Sequence, residues 1–265
     1  MIKAAVLGSP ISHSLSPLIH RKAYEILGLE GDYSAIEIDL KGFPNFFERA
    51  SSENWNGFSL TMPLKEAPFE IISDIDPIST RIRSVNTLIQ SGGHWRALST
   101  DFLAFKSLIN LSEGSQVAII GGGGTARAAI GSLEGHDTCV DVMIRSKASE
   151  DSLSIAAGDL ELNFLPLSGD LEKYDFVVST VPKGVMDRFV PTISNINGTL
   201  LECLYAPWPT QLAKKWEELG GEVISGIDLL VEQALHQINL MTGIDFDFDV
   251  MRKLLLVEAW GSQEN

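Results

Sequence analysis

Several short stretches hold residues whose types and spacing could do chemistry. The run LGSPISHSLSPLIHR, residues 7–21, places serines, prolines and two histidines directly behind the first apolar segment. Its hydroxyls and backbone amides read either as a turn and a helix start, or as groups that face an anion. GFSLTMPLKEA sets Lys65 just after a strand-like run and Pro63, close to a helix start. The helix dipole opposes an ammonium there, which suits proton transfer. RSVNTL predicts Asn86 within a strand, where side-chain amides are not favoured. LSTDFLAF puts Asp101 in a first helical turn, either as a dipole-favoured cap or as a working carboxylate. A lysine and an aspartate that both sit where strands give way to helices could share one crevice.

Further along, QVAIIGGGGTARAAIGSLEG is an apolar strand that runs through glycines into an alanine-rich helix. Gly121, Gly123 and Ala126 stand at the spacing of a dinucleotide-binding turn. The first permits the tight bend, the second admits a pyrophosphate close to the backbone, and the third lets helix and strand pack closely. An NAD-selective site would place an acid at the end of the next strand. This chain has Arg145, Ser146 and Lys147 there, so a 2′-phosphate is favoured and NADP is the expected cofactor.

These residues need a scaffold, and the periodicity supplies one. Short apolar runs alternate with helix-period stretches, the pattern of an α/β protein with a largely parallel sheet. IKAAVLG reads as a strand. A helix follows with Ser16 as N-cap, Pro17 in its first turn and Gly28 closing it, its apolar face carrying Ile19, Ala23 and Ile26. YSAIEIDL and GFSLTM read as strands with a short helix between them. SVNTLIQ, Gly92-Gly93 and HWRALS read as a hairpin. Beyond residue 100, about six strand-like runs match two mononucleotide-binding halves, and helices occupy the tail.

The chain has 265 residues, 45% of them hydrophobic, enough for two ordinary domains. A net charge of −15 argues against nucleic acid and anionic membrane as partners. No apolar run reaches the roughly 20 residues of a membrane span, and no secretory leader is evident, so a cytoplasmic protein is expected. Cys139 and Cys203 read as buried thiols in strand-like runs, and no metal-ligand spacing occurs.

Taken together, these segments resemble the shikimate dehydrogenase (shikimate/quinate dehydrogenase) family along almost the full length. Gly8-Ser-Pro-Ile-Ser-His-Ser-Leu-Ser-Pro17 is similar to its opening signature, and Thr61-Met-Pro-Leu-Lys65-Glu66 to its lysine motif. Val85-Asn86-Thr87-Leu88 is similar to its asparagine motif, and Thr100-Asp101 to the end of an Asn-Thr-Asp motif. Tyr205-Ala-Pro207, Thr210, Gly226 and Gln233 follow in the order of its tyrosine–proline loop and glutamine helix. The resemblance implies NADPH-dependent, reversible reduction of 3-dehydroshikimate to shikimate in aromatic amino acid biosynthesis. It implies Lys65 and Asp101 as the catalytic pair and Ser14, Ser16 and Tyr205 on the substrate carboxylate. Thr61, Asn86 and Gln233 would contact ring hydroxyls, while His13 and His20 need no catalytic role. Gly124, Thr125, Thr180, Val181 and Gly226 would join Gly121, Gly123, Ala126 and the 145–147 segment at the cofactor. It further implies a substrate-binding catalytic domain of residues 1–99 plus 227–265, an NADP-binding Rossmann domain of residues 100–226, and an active-site cleft between them.

The match departs in places. Ser99 and Ala104 replace an asparagine and a glycine around Asp101. Ile144-Arg145-Ser146 stands for Asn-Arg-Thr, residues 179–184 depart from Asn-Ala-Thr-x-x-Gly, and Glu202 replaces an aspartate. Most of these departures touch the cofactor half; they leave the reaction class intact and bear on how strict the NADP preference is. The alternative readings are a quinate or aminoshikimate dehydrogenase, and a non-catalytic sensor of a shikimate-like ligand. A monomer or a homodimer acting on a small molecule is the expected form.

Overall fold

The computed structural model describes residues 1–263. They divide into two units: one is Met1–Leu103 with the segment from Leu230 onward, the other Ala104–Leu229.

In the first unit β1 (Ile2–Gly8) leads through a serine-rich turn into α1 (Ser16–Ile26), and β2 (Gly31–Glu37) returns parallel to β1. Then come α2 (Phe43–Ala50) and β3 (Gly57–Leu60), which lies parallel on the other side of β1. Parallel neighbours need crossovers, and the two helices supply them. Next is a 3₁₀ segment (Leu64–Glu70), then β4 (Asp74–Ile75) and α3 (Pro77–Ile82), neither of which the periodicity flags. Yet α3 has a legible start: Asp76 accepts the Ser79 N–H at 3.0 Å, with Pro77 in the first turn. The hairpin of β5 (Thr87–Ser91) and β6 (His94–Leu98) turns on Gly92 and Gly93, at φ +59° and +80°. Two left-handed residues in succession are what a tight two-residue hairpin turn demands. The strand order is β2-β1-β3-β5-β6-β4, and only β5 runs against the rest. Phe43, Phe47, Phe58 and Trp95 fill the core on one side of this sheet.

The second unit holds α4 (Thr100–Leu108) from Ala104 onward, β7 (Ser115–Ile120), α5 (Gly124–Ser132), β8 (Thr138–Ile144), α6 (Glu150–Ala157), β9 (Leu162–Pro166), β10 (Phe176–Ser179), β11 (Thr199–Glu202), α7 (Gln211–Glu218) and β12 (Val223–Ile224). The order β12-β11-β10-β7-β8-β9, parallel throughout, is that of a doubly wound dinucleotide-binding sheet. Helix α8 (Gly226–Thr242) leads from this unit back to the first, where α9 (Phe248–Gly261) packs on α1. Among the described residues no helix is long and apolar enough to cross a membrane.

Several local expectations are corrected. Ser16 is not the N-cap of α1. Leu15 holds that position, and the Ser14 hydroxyl accepts the Ser16 N–H at 3.3 Å. Ile26 is 38% exposed, and the buried face of α1 instead carries Ile19, His20, Ala23 and Tyr24. The close of the helix follows the sequence: Gly28, at φ +66°, and Leu29 donate back to Glu25 and Tyr24, satisfying the last carbonyls. Asn86 stands just ahead of β5 rather than inside it. The segment that carries Lys65 is 3₁₀, because Pro68 lacks the N–H that an α-helical bond to the Leu64 carbonyl needs. Cys139 is exposed on β8, and Cys203 is half-buried just past β11. Neither is the buried strand thiol expected, because both sit near strand ends, where the sheet's cover is incomplete.

Candidate active site

Asn86 is the anchor of the site in the first unit. The Thr100 backbone N–H lies 2.7 Å from one side-chain atom of Asn86. A backbone N–H can only donate, so that atom is Oδ1. The amide nitrogen must then face the other way, where it donates to Asp101 Oδ1 at 2.7 Å and to Gln233 Oε1 at 3.2 Å. The second carboxylate oxygen of Asp101, Oδ2, accepts from Lys65 Nζ at 2.5 Å. Side-chain exposures of 21% for Lys65 and 10% for Asp101 leave the pair within reach of a ligand yet partly screened from water.

Backbone bonds bring these distant segments together. Leu60 N–H donates to Asn86 C=O at 2.8 Å and Val85 N–H to Lys65 C=O at 2.9 Å, tying the end of β3, the 3₁₀ segment and the start of β5 into one corner. Asp101 enters from the first turn of α4, and Gln233 from α8. An ammonium held by a carboxylate with both oxygens occupied can donate a proton to a developing alkoxide and stabilise its charge.

The remaining substrate candidates are placed as follows. Ser14 and Ser16 adjoin at the start of α1, with Ser16 buried and Ser14 half-buried. Thr61 follows β3 and donates its N–H to Leu7 C=O at 2.9 Å. Its methyl group occupies the space that a Cβ on Gly8 would need, so the opening motif requires glycine there. Tyr205, half-buried, belongs to the second unit, in the loop after β11.

In the second unit, Gly121 adopts φ +125° and donates its N–H to Met143 C=O at 3.0 Å, so the chain bends sharply off β7. A Cβ there would collide with Thr180 Oγ1. Gly123 caps α5 with no side-chain partner, and a Cβ on it would meet nothing within 4 Å. This bare helix start, led by Gly124 and Thr125 with Ala126 buried against the sheet, presents backbone donors and a positive dipole end to open space. Arg145, Ser146 and Lys147 are exposed at the end of the neighbouring β8. Thr180 and Val181 follow β10, and Thr180 is held to Ile120 C=O through both N–H and Oγ1 at 2.9 Å. These donors, the open cradle and the two cations fit a dinucleotide with an extra phosphate. Gly226 has a packing reason of its own: a Cβ would lie 2.5 Å from Cys203 C=O.

Some participants escape a reading by motif. Thr87 and Thr100 hydroxyls flank Asn86 Oδ1 at 3.0 and 3.1 Å, and Gln237 sits one helical turn beyond Gln233. The signal was there as two glutamines at i, i+4, which share one face of a helix. His20 is fully buried, stacked on Tyr33 with ring centroids 3.8 Å apart, and burial lowers its pKa to about 3, so it is neutral. Glu202, also buried, accepts from Leu204 N–H at 3.3 Å and Thr210 Oγ1 at 3.1 Å, tying both ends of the Tyr205 loop. Burial raises its pKa to about 7.

The sequence matches the shikimate dehydrogenase substrate binding domain over residues 6–88 and the shikimate 5'-dehydrogenase C-terminal domain over residues 226–256. The crystal structure of Mycobacterium tuberculosis shikimate dehydrogenase resembles this one with a TM-score of 0.87 at 31% identity, covering 97% of this chain and 99% of that one. The chain belongs to the shikimate dehydrogenase family. Another family structure, from Thermus thermophilus in complex with shikimate, matches with a TM-score of 0.86 at 27% identity over 100% of both chains. The Staphylococcus aureus shikimate dehydrogenase (NADP(+)) is 28% identical over 275 residues, spanning 98% of this chain and 100% of its own. Membership thus extends over both units, including the second, where most departures from the family motifs fall.

Proposed function

We propose that this chain is an NADP-dependent oxidoreductase that interconverts 3-dehydroshikimate and shikimate, a step of aromatic amino acid biosynthesis. The observation that carries the reading is the Lys65–Asp101–Asn86 constellation in a member of this family. NADPH, when bound, supplies the hydride. Gly121, Gly123, Gly124, Thr125 and Ala126 would hold its pyrophosphate, and Arg145, Ser146 and Lys147 its 2′-phosphate. Thr180, Val181 and Gly226 would line the rest of its site.

This chain's residues supply the remaining chemistry. Ser14, Ser16 and Tyr205 bind the substrate carboxylate, whose charge suits hydroxyl donors at a helix start. Thr61, Asn86 and Gln233 orient the ring through its hydroxyls. Lys65 Nζ donates a proton to the oxygen of the C3 carbonyl as charge develops there. Asp101 keeps the ammonium directed at that oxygen and accepts from a neighbouring ring hydroxyl. In the reverse direction Lys65 takes the proton back.

The test follows absorbance of the reduced nicotinamide with 3-dehydroshikimate and either NADPH or NADH, and compares kcat/KM for shikimate with that for quinate. Turnover fastest with NADPH and dehydroshikimate is expected. No turnover with dehydroshikimate and either cofactor, together with measurable shikimate binding, would make the chain a ligand sensor instead.

A further inference from the structure

Gln237 is a fully buried amide on α8, enclosed by the buried polar residues His20, Ser59, Asn86 and Thr87. Backbone groups fix which way the Gln237 and Asn86 amides face. Asn86 C=O can only accept, so the Gln237 atom 3.3 Å away is Nε2, which also donates to Thr87 Oγ1 at 3.0 Å. Oε1 therefore faces the opposite side, where it accepts from Ser59 Oγ at 2.7 Å and from His20 Nε2 at 3.2 Å. With the Ser59 proton committed to Gln237, its oxygen accepts from Tyr33 OH at 2.5 Å. At the other end, Thr87 Oγ1 donates to the Asn86 Oδ1 that the Thr100 N–H identifies. Donation thus runs one way, from Tyr33 through Ser59, Gln237, Thr87 and Asn86 to the Asp101 carboxylate. Hydrogen bonds aligned in this manner polarise one another in a low-dielectric interior.

We propose that Gln237 is a positioning residue for the Lys65–Asp101 pair. By holding the Thr87 hydroxyl and the Asn86 carbonyl together, it orients the Asn86 amide so that its nitrogen faces Asp101 and leaves Oδ2 to Lys65. The Gln237 amide has donors at Oε1 and acceptors at Nε2, and the acceptor side leads directly to Asn86; burying an amide costs free energy unless such partners are in place. This inference rests on the reductase reading above, and its test separates the two.

The variants are Gln237→Met, which keeps volume and removes both amide groups, and Thr87→Val, which breaks the same chain at its next member. Each is combined with Asn86→Ala in a double-mutant cycle. Gln237→Met is expected to lower kcat/KM for shikimate by about tenfold to a hundredfold, with KM for NADP⁺ unchanged. In the Asn86→Ala background it is expected to cost nothing further. A folded Gln237→Met enzyme with wild-type kcat/KM, or effects that multiply fully with Asn86→Ala, overturns the proposal. Should Gln237→Met fail to fold, Thr87→Val carries the same cycle with the same two outcomes. The side-chain amide NMR signal of Asn86 reads the positioning without turnover: it is expected to shift and exchange faster in Gln237→Met, and an unchanged signal overturns the role. Absence of turnover in the unaltered protein would count against the reductase reading alone.

Discussion

Lys65 and Asp101, 36 residues apart in the chain, meet with Nζ 2.5 Å from Oδ2, while Asn86 donates to the same carboxylate through Oδ1 at 2.7 Å. The carboxylate is thereby held on both oxygens, and its direction, rather than its charge alone, is a property of the fold.

Replacing the ammonium tests the pair directly. Lys65→Ala is expected to lower kcat by about a hundredfold to ten-thousandfold, the usual range for loss of a positioned acid–base group. Lys65 is half-buried on a short 3₁₀ segment, so the thermal midpoint should move little. Steady-state kinetics beside a melting curve checks both, and an undiminished kcat would remove Lys65 from the chemistry.

Arg145 should discriminate between cofactors. It is exposed at the end of β8, where a guanidinium can pair with a 2′-phosphate but has no such partner in NADH. Arg145→Ala is expected to raise KM for NADPH about tenfold, from the loss of one charge-assisted bond, and to leave KM for NADH near its starting value. Equal changes for both cofactors would contradict the assignment.

Two glycines of one loop should behave differently. Gly121→Ala forces a side chain to φ +125° and against Thr180, so it should destabilise the fold by about 1–3 kcal/mol in urea unfolding. Gly123 has φ −89° and open space around a would-be Cβ, so Gly123→Ala should unfold like the unaltered protein. A methyl group where the pyrophosphate approaches should nevertheless raise KM for NADPH roughly tenfold or more. Normal NADPH affinity in Gly123→Ala would place the phosphates elsewhere.

Two buried groups give stability a defined pH dependence. The pKa of His20 falls from 6.5 to about 3 on folding, so its contribution is present above pH 6.5 and is lost as pH falls towards 3. The pKa of Glu202 rises from 4.5 to about 7, so its contribution is present below pH 4.5 and is lost as pH rises through 7. The two slopes oppose each other between about pH 4.5 and 6.5. Glu202→Gln removes one of them. Relative to the unaltered protein, the variant should gain roughly 3 kcal/mol of stability between pH 4.5 and 8, measured by urea unfolding at each pH. A constant difference across that range would show that Glu202 titrates normally.

Much of this molecule is legible from residues in order. Alternating apolar runs specify strands because their side chains must reach a core, and the glycines at 92–93 and 121–123 mark places where only a small residue permits the bend or the approach. The parallel second sheet, the hairpin and the catalytic candidates follow from such local rules. What the chain order could not reveal is partnership between separate segments. Ser16 cedes the cap of α1 to Leu15 and to the Ser14 hydroxyl, a choice set by packing at the turn. Ile26 leaves the buried face expected of it, and His20 lies on that face because Tyr33 and Gln237 give its ring a stack and a bond inside the core.

The sequence by itself determined which groups are present at the site and roughly where they stand: an amine behind a proline, an acid in a first turn, an amide beside a strand. The tertiary structure alone decided which way those groups point. Direction came from a backbone N–H at Thr100 that can only donate and a carbonyl at Asn86 that can only accept, brought together from different segments. Hydrogen bonds have direction and short range, so their geometry exists only once the chain has folded.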